Sequence, residues 1–201
     1  MIDAIATEQR NPRVRDGGRA RDLALVVLSR WRIEAGYVVA AVALACARPT
    51  HAAIAAWTPL ILAGLALRTW ARGHLERRRY LTRSGPYAWL RHPLYVGSFL
   101  VGVGFSATSG VPAAPLTFAA AFAAAYWPKA IREDAFLRAR YGDEHVRWAA
   151  SVGAIVPRPG SNDGIASSAQ PFAWRRVLRH REWHAWLGAG AALALLWVRA
   201  R

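Results

Sequence analysis

The chain has 201 residues, a formal charge of +15 and a 54% apolar content. That length favours one domain, and an apolar share this high beside so many charges requires the two to be segregated along the chain. Basic residues here flank apolar runs and form no zinc-finger or RNA-recognition motif, which points to anionic lipid headgroups rather than nucleic acid.

Residues 1–22 are charged and contain Asn11-Pro12 and Gly17-Gly18, so they are expected to be a disordered basic cytoplasmic arm rather than a signal peptide. Leu23–Trp31 reads as a short helix lying at the membrane interface. The remainder, 23–201, is expected to be a single membrane domain, an all-α, multi-pass helix bundle. Its uncharged runs are Ala35–Ala47, Pro49–Leu67, Pro93–Pro128 and Trp183–Val198. Pro93–Pro128 is too long for one crossing and is broken at Ser106–Pro112, giving five predicted spans near 33–48, 50–68, 93–107, 111–128 and 183–198.

Of the 27 basic residues, 24 lie before position 33, in 68–91 or in 129–181, and three lie elsewhere. With five spans those rich segments share one side, which the positive-inside rule makes cytoplasmic. The chain is therefore expected in the cell membrane with its N-terminus in the cytoplasm. Trp31, Trp70, Trp127, Trp183, Trp186 and Trp197 fall near span ends, as an aromatic belt does. Gly97, Gly102 and Gly104 favour close helix packing. Arg68 is expected to snorkel to the cytoplasmic interface.

Between the spans, Ser84-Gly85-Pro86-Tyr87 reads as a turn and Trp127–Trp148 as helical, with Pro128 at the end of the fourth span or in a first helical turn. Pro157–Pro171 reads as a linker, and Ala173–Glu182 as a basic lead-in to the last span. Cys46 is the lone cysteine, so an intramolecular disulfide is excluded and a Cys-based metal site is not expected. The six histidines lack ligand spacing, and no metal is expected.

Polar side chains gather at the mouth of the apolar hairpin: Tyr87, Arg91, His92, Tyr95, Glu133 and Asp134. Such groups are expensive to place at a membrane boundary and so mark a candidate site. Pro93 suits a first helical turn, leaving His92 at the N-cap, where backbone N–H groups favour an anionic group. Arg91 adds a fork of donors for a carboxylate or phosphate. Asp134 and Arg138 are spaced as an ordinary surface pair, whereas Glu133, between Phe136 and Leu137, is the better candidate to face inward. Purely structural roles, as cap, lipid contact and ion pairs, fit the spacing as well.

The segment Leu81–Gly97, with Arg91-His92-Pro93-Leu94-Tyr95 at its heart, resembles the signature of the isoprenylcysteine carboxyl methyltransferases and related phospholipid methyltransferases. Glu133-Asp134, Arg140-Tyr141-Gly142 and Pro157 resemble its later elements, and Gly64–Gly73 its second-span ending. Where the family usually shows two glutamates this chain has Glu133-Asp134, and His145 and Trp148 stand where tyrosines are common. The resemblance implies an integral membrane enzyme using S-adenosylmethionine in a cytoplasm-facing pocket. Pro86, Tyr87, His92, Pro93, Tyr95, Gly97, Glu133 and Asp134 would bind the cofactor, and Arg91 and Glu133 would act in catalysis. The acceptor would be a lipidic or prenyl-cysteine-like molecule entering from the bilayer, with carboxyl O-methylation favoured. An NADPH-dependent sterol-reductase-like enzyme and a non-catalytic lipid-binding protein are the alternatives. Nothing in the sequence speaks to oligomeric state.

Overall fold

The computed structural model describes residues 47–76, 80–158 and 171–201, all within one compact unit, Cys46–Arg201. The expected arm, the Leu23–Trp31 helix, and most of the 33–48 span and of the Pro157–Pro171 linker lie outside the described residues. Those described contain helices and no strand: α1 His51–His74, α2 Pro93–Ala107, α3 Ala114–Tyr141, α4 Asp143–Ser151, α5 Trp174–Arg179 and α6 Trp183–Arg199, with a 3₁₀ turn at Gly85–Ala88.

Each boundary has a local cause. Thr50 caps α1 by accepting the Ala53 N–H at 3.1 Å. Pro93 occupies the first turn of α2 with His92 as N-cap. Gly85 supplies the positive φ (60°) that the turn before Pro86 requires, and Gly142 (52°) separates α3 from α4.

The expected fourth span and the helix carrying Glu133 are one continuous element. Pro128 lies inside α3 rather than ending it, so a single 28-residue rod runs from the apolar Ala114 end to the charged Tyr141 end. Among the described residues α1 alone is long and apolar enough to cross a membrane. The 15 residues of α2 rise roughly 22 Å at about 1.5 Å each, short of a ~30 Å hydrocarbon core.

Packing is tightest between α1 and α2, where Gly64 faces Gly97: a Cβ on either would come within 2.7 Å of the other's carbonyl oxygen. Ile61, Leu65 and Ala189 are buried together near Val101 and Phe105, bringing α6 onto the same pair. Much of the apolar surface faces outward, including Leu116, Trp127, Leu187 and Val198, which suits a lipid environment. A second buried cluster, Ala71, Leu81, Tyr87, Trp148 and Val152, underlies the polar end of the molecule.

Candidate active site

The Arg91-His92 entrance is fixed by backbone before any side chain is considered. After α4 the chain runs past it: Arg91 N–H donates to Gly153 O at 2.8 Å, His92 N–H to Ala154 O at 3.3 Å, and Gly153 N–H to Trp89 O at 3.2 Å. Trp148 Nε1–H donates to Tyr87 O at 3.0 Å. The 3₁₀ turn, the start of α2 and the end of α4 are thereby held as one block, against which α3 lies.

Two ion-pair or hydrogen-bond contacts tie that block to α3. Arg91 Nη1 donates to Asp134 Oδ2 at 2.5 Å, and Tyr95 Oη–H donates to Glu133 Oε2 at 2.5 Å. The expected Asp134–Arg138 surface pair does not form: Asp134 turns inward to Arg91, and the adjacent Glu133 stays half exposed and holds Tyr95. Successive helical residues diverge by about 100°, so the two carboxylates serve different partners.

Behind this pair, Asp134 Oδ1 lies 3.4 Å from His92 Nε2 and 3.7 Å from His145 Nε2. Both imidazoles are buried, and burial holds each below the usual 6.5, with Asp134 pulling the other way. His92 Nε2, Asp134 Oδ1, both His145 ring nitrogens and Arg91 Nε make no hydrogen bond among the described residues. Buried polar atoms without partners are uncommon. Among the described residues no group of three or more His, Cys, Asp or Glu side chains could hold a metal ion.

In front of the pair is a cavity of about 690 Å³, within the range of small-molecule sites. Of the residues expected at the site, Tyr87, Arg91, Tyr95 and Glu133 line it. His92 and Asp134 stand beside those residues, while Pro86 and Pro93 are fully buried in the block. Gly97 sits at the α1–α2 contact, where a Cβ would meet Arg68 Cγ at 2.6 Å. Its role in the structure is helix approach.

Several wall residues escaped the sequence reading. Arg68, expected to reach toward the interface, has partners within the fold: its Nε is 2.6 Å from Glu182 Oε1, and its Nη1 donates to Ser98 Oγ at 2.5 Å. Arg72 Nε reaches Glu182 Oε2 at 3.3 Å. Glu182, 2% exposed, thus anchors the start of α6 to the cavity wall. Tyr126 and Lys129 of α3 also line the cavity. The signal for them was their spacing, since positions 122, 126, 129 and 133 share one helical face.

With the geometry in place, the comparisons are informative. Residues 37–144 match the phospholipid methyltransferase family, and the chain belongs to that family of membrane methyltransferases, whose chemistry implies S-adenosylmethionine as methyl donor. The chain is also 32% identical over 139 residues to the cobalt-zinc-cadmium resistance protein CzcN of Cupriavidus metallidurans, covering 64% of this chain and 62% of that protein. It therefore spans less than two thirds of that relative's length. No solved structure matches.

Proposed function

We propose that the protein is a multi-pass membrane enzyme that transfers a methyl group from S-adenosylmethionine to an anionic lipidic acceptor, with carboxyl O-methylation the favoured reaction. The observation that carries this reading is the charge of the cavity wall. Arg68, Arg72, Arg91, Lys129, Arg132 and Arg140 line it against two acidic residues, Glu76 and Glu133. Glu76 is itself engaged by Arg176 at 3.6 Å. After Glu182 pairs with Arg68 and Arg72 and Asp134 with Arg91, the wall keeps an excess of positive charge that attracts a carboxylate or phosphate.

The residues present fit the donor. Its amino-acid end and ribose need charged donors and a carboxylate, which Arg132, Arg140 and Glu133 of the wall provide. The Tyr87 and Trp148 rings provide apolar faces for adenine, and the unpartnered polar atoms around Asp134 leave hydrogen-bonding capacity beside them. When bound, the donor supplies a methyl group on a sulfonium that is already a good leaving group.

The protein's own work is then alignment and exclusion of water. Arg91, braced by Asp134, orients the acceptor carboxylate, and the rigid Tyr87–Trp148 block sets the distance between the two substrates. The cytoplasm is the side on which the cavity opens, and the acceptor's apolar part remains in lipid beside α2 and α3.

The test is incubation of membranes holding the protein, or its Arg91→Ala variant, with methyl-labelled S-adenosylmethionine and a total lipid extract. Base-labile label in a lipid fraction, given by the unaltered protein and lost in Arg91→Ala, supports an ester product. Base-stable label would replace carboxyl with amine methylation, and absence of label with every lipid fraction would contradict the reading.

A further inference from the structure

Lysine occurs once in this chain, at position 129, among 27 basic residues. That one lysine lies against two tyrosine rings on the cavity wall: its Nζ is 5.1 Å from the centre of Tyr95 and 5.3 Å from that of Tyr126. The rings meet edge to face at 5.1 Å and 70°, forming an angled box rather than a flat stack. Tyr95 donates its hydroxyl hydrogen bond to Glu133, which leaves its ring more electron-rich, and Phe122 stacks on Tyr126 at 4.0 Å. A compact cation between two such faces is held by cation–π attraction. An ammonium is a point charge that fits the box, whereas the planar guanidinium used everywhere else in the chain would stack flat on one ring.

We infer that Tyr95, Tyr126 and Glu133 form a subsite for a methyl-bearing onium cation, and that Lys129 fills it in the ligand-free protein as a built-in surrogate. The cation has two sources of the same chemistry, the donor's sulfonium and the ammonium of an amine. This rests on the methyltransferase reading of the same cavity and adds to it a competitor carried on the enzyme's own helix. Entry of the ligand's cation displaces the Lys129 ammonium, which is exposed and free to swing out to solvent.

The test is calorimetric titration of detergent-purified protein with S-adenosylmethionine, S-adenosylhomocysteine and tetramethylammonium. The first two differ by one methyl and one positive charge. Lys129→Gln is expected to tighten the sulfonium ligand about 3- to 10-fold while moving S-adenosylhomocysteine by less than about twofold, the scale of one cation–π contact. Tyr126→Leu is expected to remove the preference for the sulfonium. Arg138→Gln removes a charge from the same helix outside the cavity wall and leaves the box filled, and it is expected to leave the ratio of the two affinities unchanged.

Selective tightening of tetramethylammonium alone in Lys129→Gln would assign the subsite to an ammonium. An equal response of both adenosyl ligands to Lys129→Gln, or the same ratio change from Arg138→Gln, would overturn the inference while leaving the methyltransferase reading intact. Failure of both adenosyl ligands to bind the unaltered protein would overturn that reading and the sulfonium form together.

Discussion

Arg91 and Asp134 meet at 2.5 Å across the junction between the α2 entrance and α3, although 43 residues separate them in the chain. The pair fixes the rotation of α3 about its own axis, because Asp134 must point at the block and Glu133 is then left facing Tyr95. One ion pair thus sets the disposition of both carboxylates.

Substitution Asp134→Asn removes the charge that Arg91 and the two buried imidazoles share. Turnover in the labelled-methyl assay is expected to fall roughly 100-fold, the scale of a misplacement near 1 Å. Asp134→Glu, which restores the paired glutamates usual in the family, is expected to retain most of the activity. Equal loss in both variants would mean that charge alone does not govern the site, because Asn keeps the length of Asp and Glu keeps its charge.

Glu182 is buried between Arg68 and Arg72. Replacing it with Gln leaves two guanidinium groups with diminished compensation, and stability is expected to drop by about 2–3 kcal/mol, discounted from a fully buried pair because both arginines are partly exposed. The double variant Arg68→Met/Glu182→Gln should recover part of that loss. Thermal unfolding in detergent reads both, and no coupling between the two sites would refute the anchoring role of Glu182.

At the α1–α2 contact, Gly97→Ala places a methyl group 2.7 Å from the Gly64 carbonyl oxygen. The helices must separate, at an expected cost of about 1–3 kcal/mol. Gly188, whose Cβ would meet nothing within 4 Å, provides the control: Gly188→Ala is expected to leave the melting temperature unchanged or raise it slightly.

His92 and His145 are held below the usual 6.5 by burial. An unfolded chain therefore takes up protons near pH 6.5 that the folded chain still refuses. Their contribution to stability is fully present above that pH and is lost as pH falls below it. Melting temperature is expected to decline between neutral pH and about pH 5.5, and the decline is expected to be shallower in His92→Gln and His145→Gln. An unchanged slope in both variants would show that other groups carry the acid sensitivity.

The site's local parts were legible in the sequence because each rests on near neighbours. Pro93 after His92 announces a helix start and Ser84-Gly85-Pro86-Tyr87 a turn, whereas Trp127–Trp148 reads as one helical stretch and is in fact divided at Gly142. The residues that failed to declare themselves depend on distant partners. Glu182 reaches Arg68 across 114 positions, and no local pattern signals it. Spacing favoured an Asp134–Arg138 pair, but the half-buried Arg91 and the buried imidazoles offer Asp134 a better environment than a solvated neighbour does. Pro128 reads as the end of a span or a first helical turn, yet α3 runs through it; the Arg132 guanidinium donates to the Pro128 carbonyl at 3.3 Å, one turn farther on. The family resemblance located the entrance and the acidic helix, while the basic character of the cavity emerged only when α1 and α3 were seen to share it.

The central claim is that the Arg91–Asp134 and Tyr95–Glu133 contacts frame a methyl-donor site. Calorimetric titration of S-adenosylhomocysteine into the purified protein and its Glu133→Gln/Asp134→Asn variant tests it most directly. Saturable binding by the unaltered protein, lost or weakened at least about 100-fold in a variant that still unfolds cooperatively, is the predicted result. Equal affinity in the two proteins would contradict the account and move the donor to another part of the molecule.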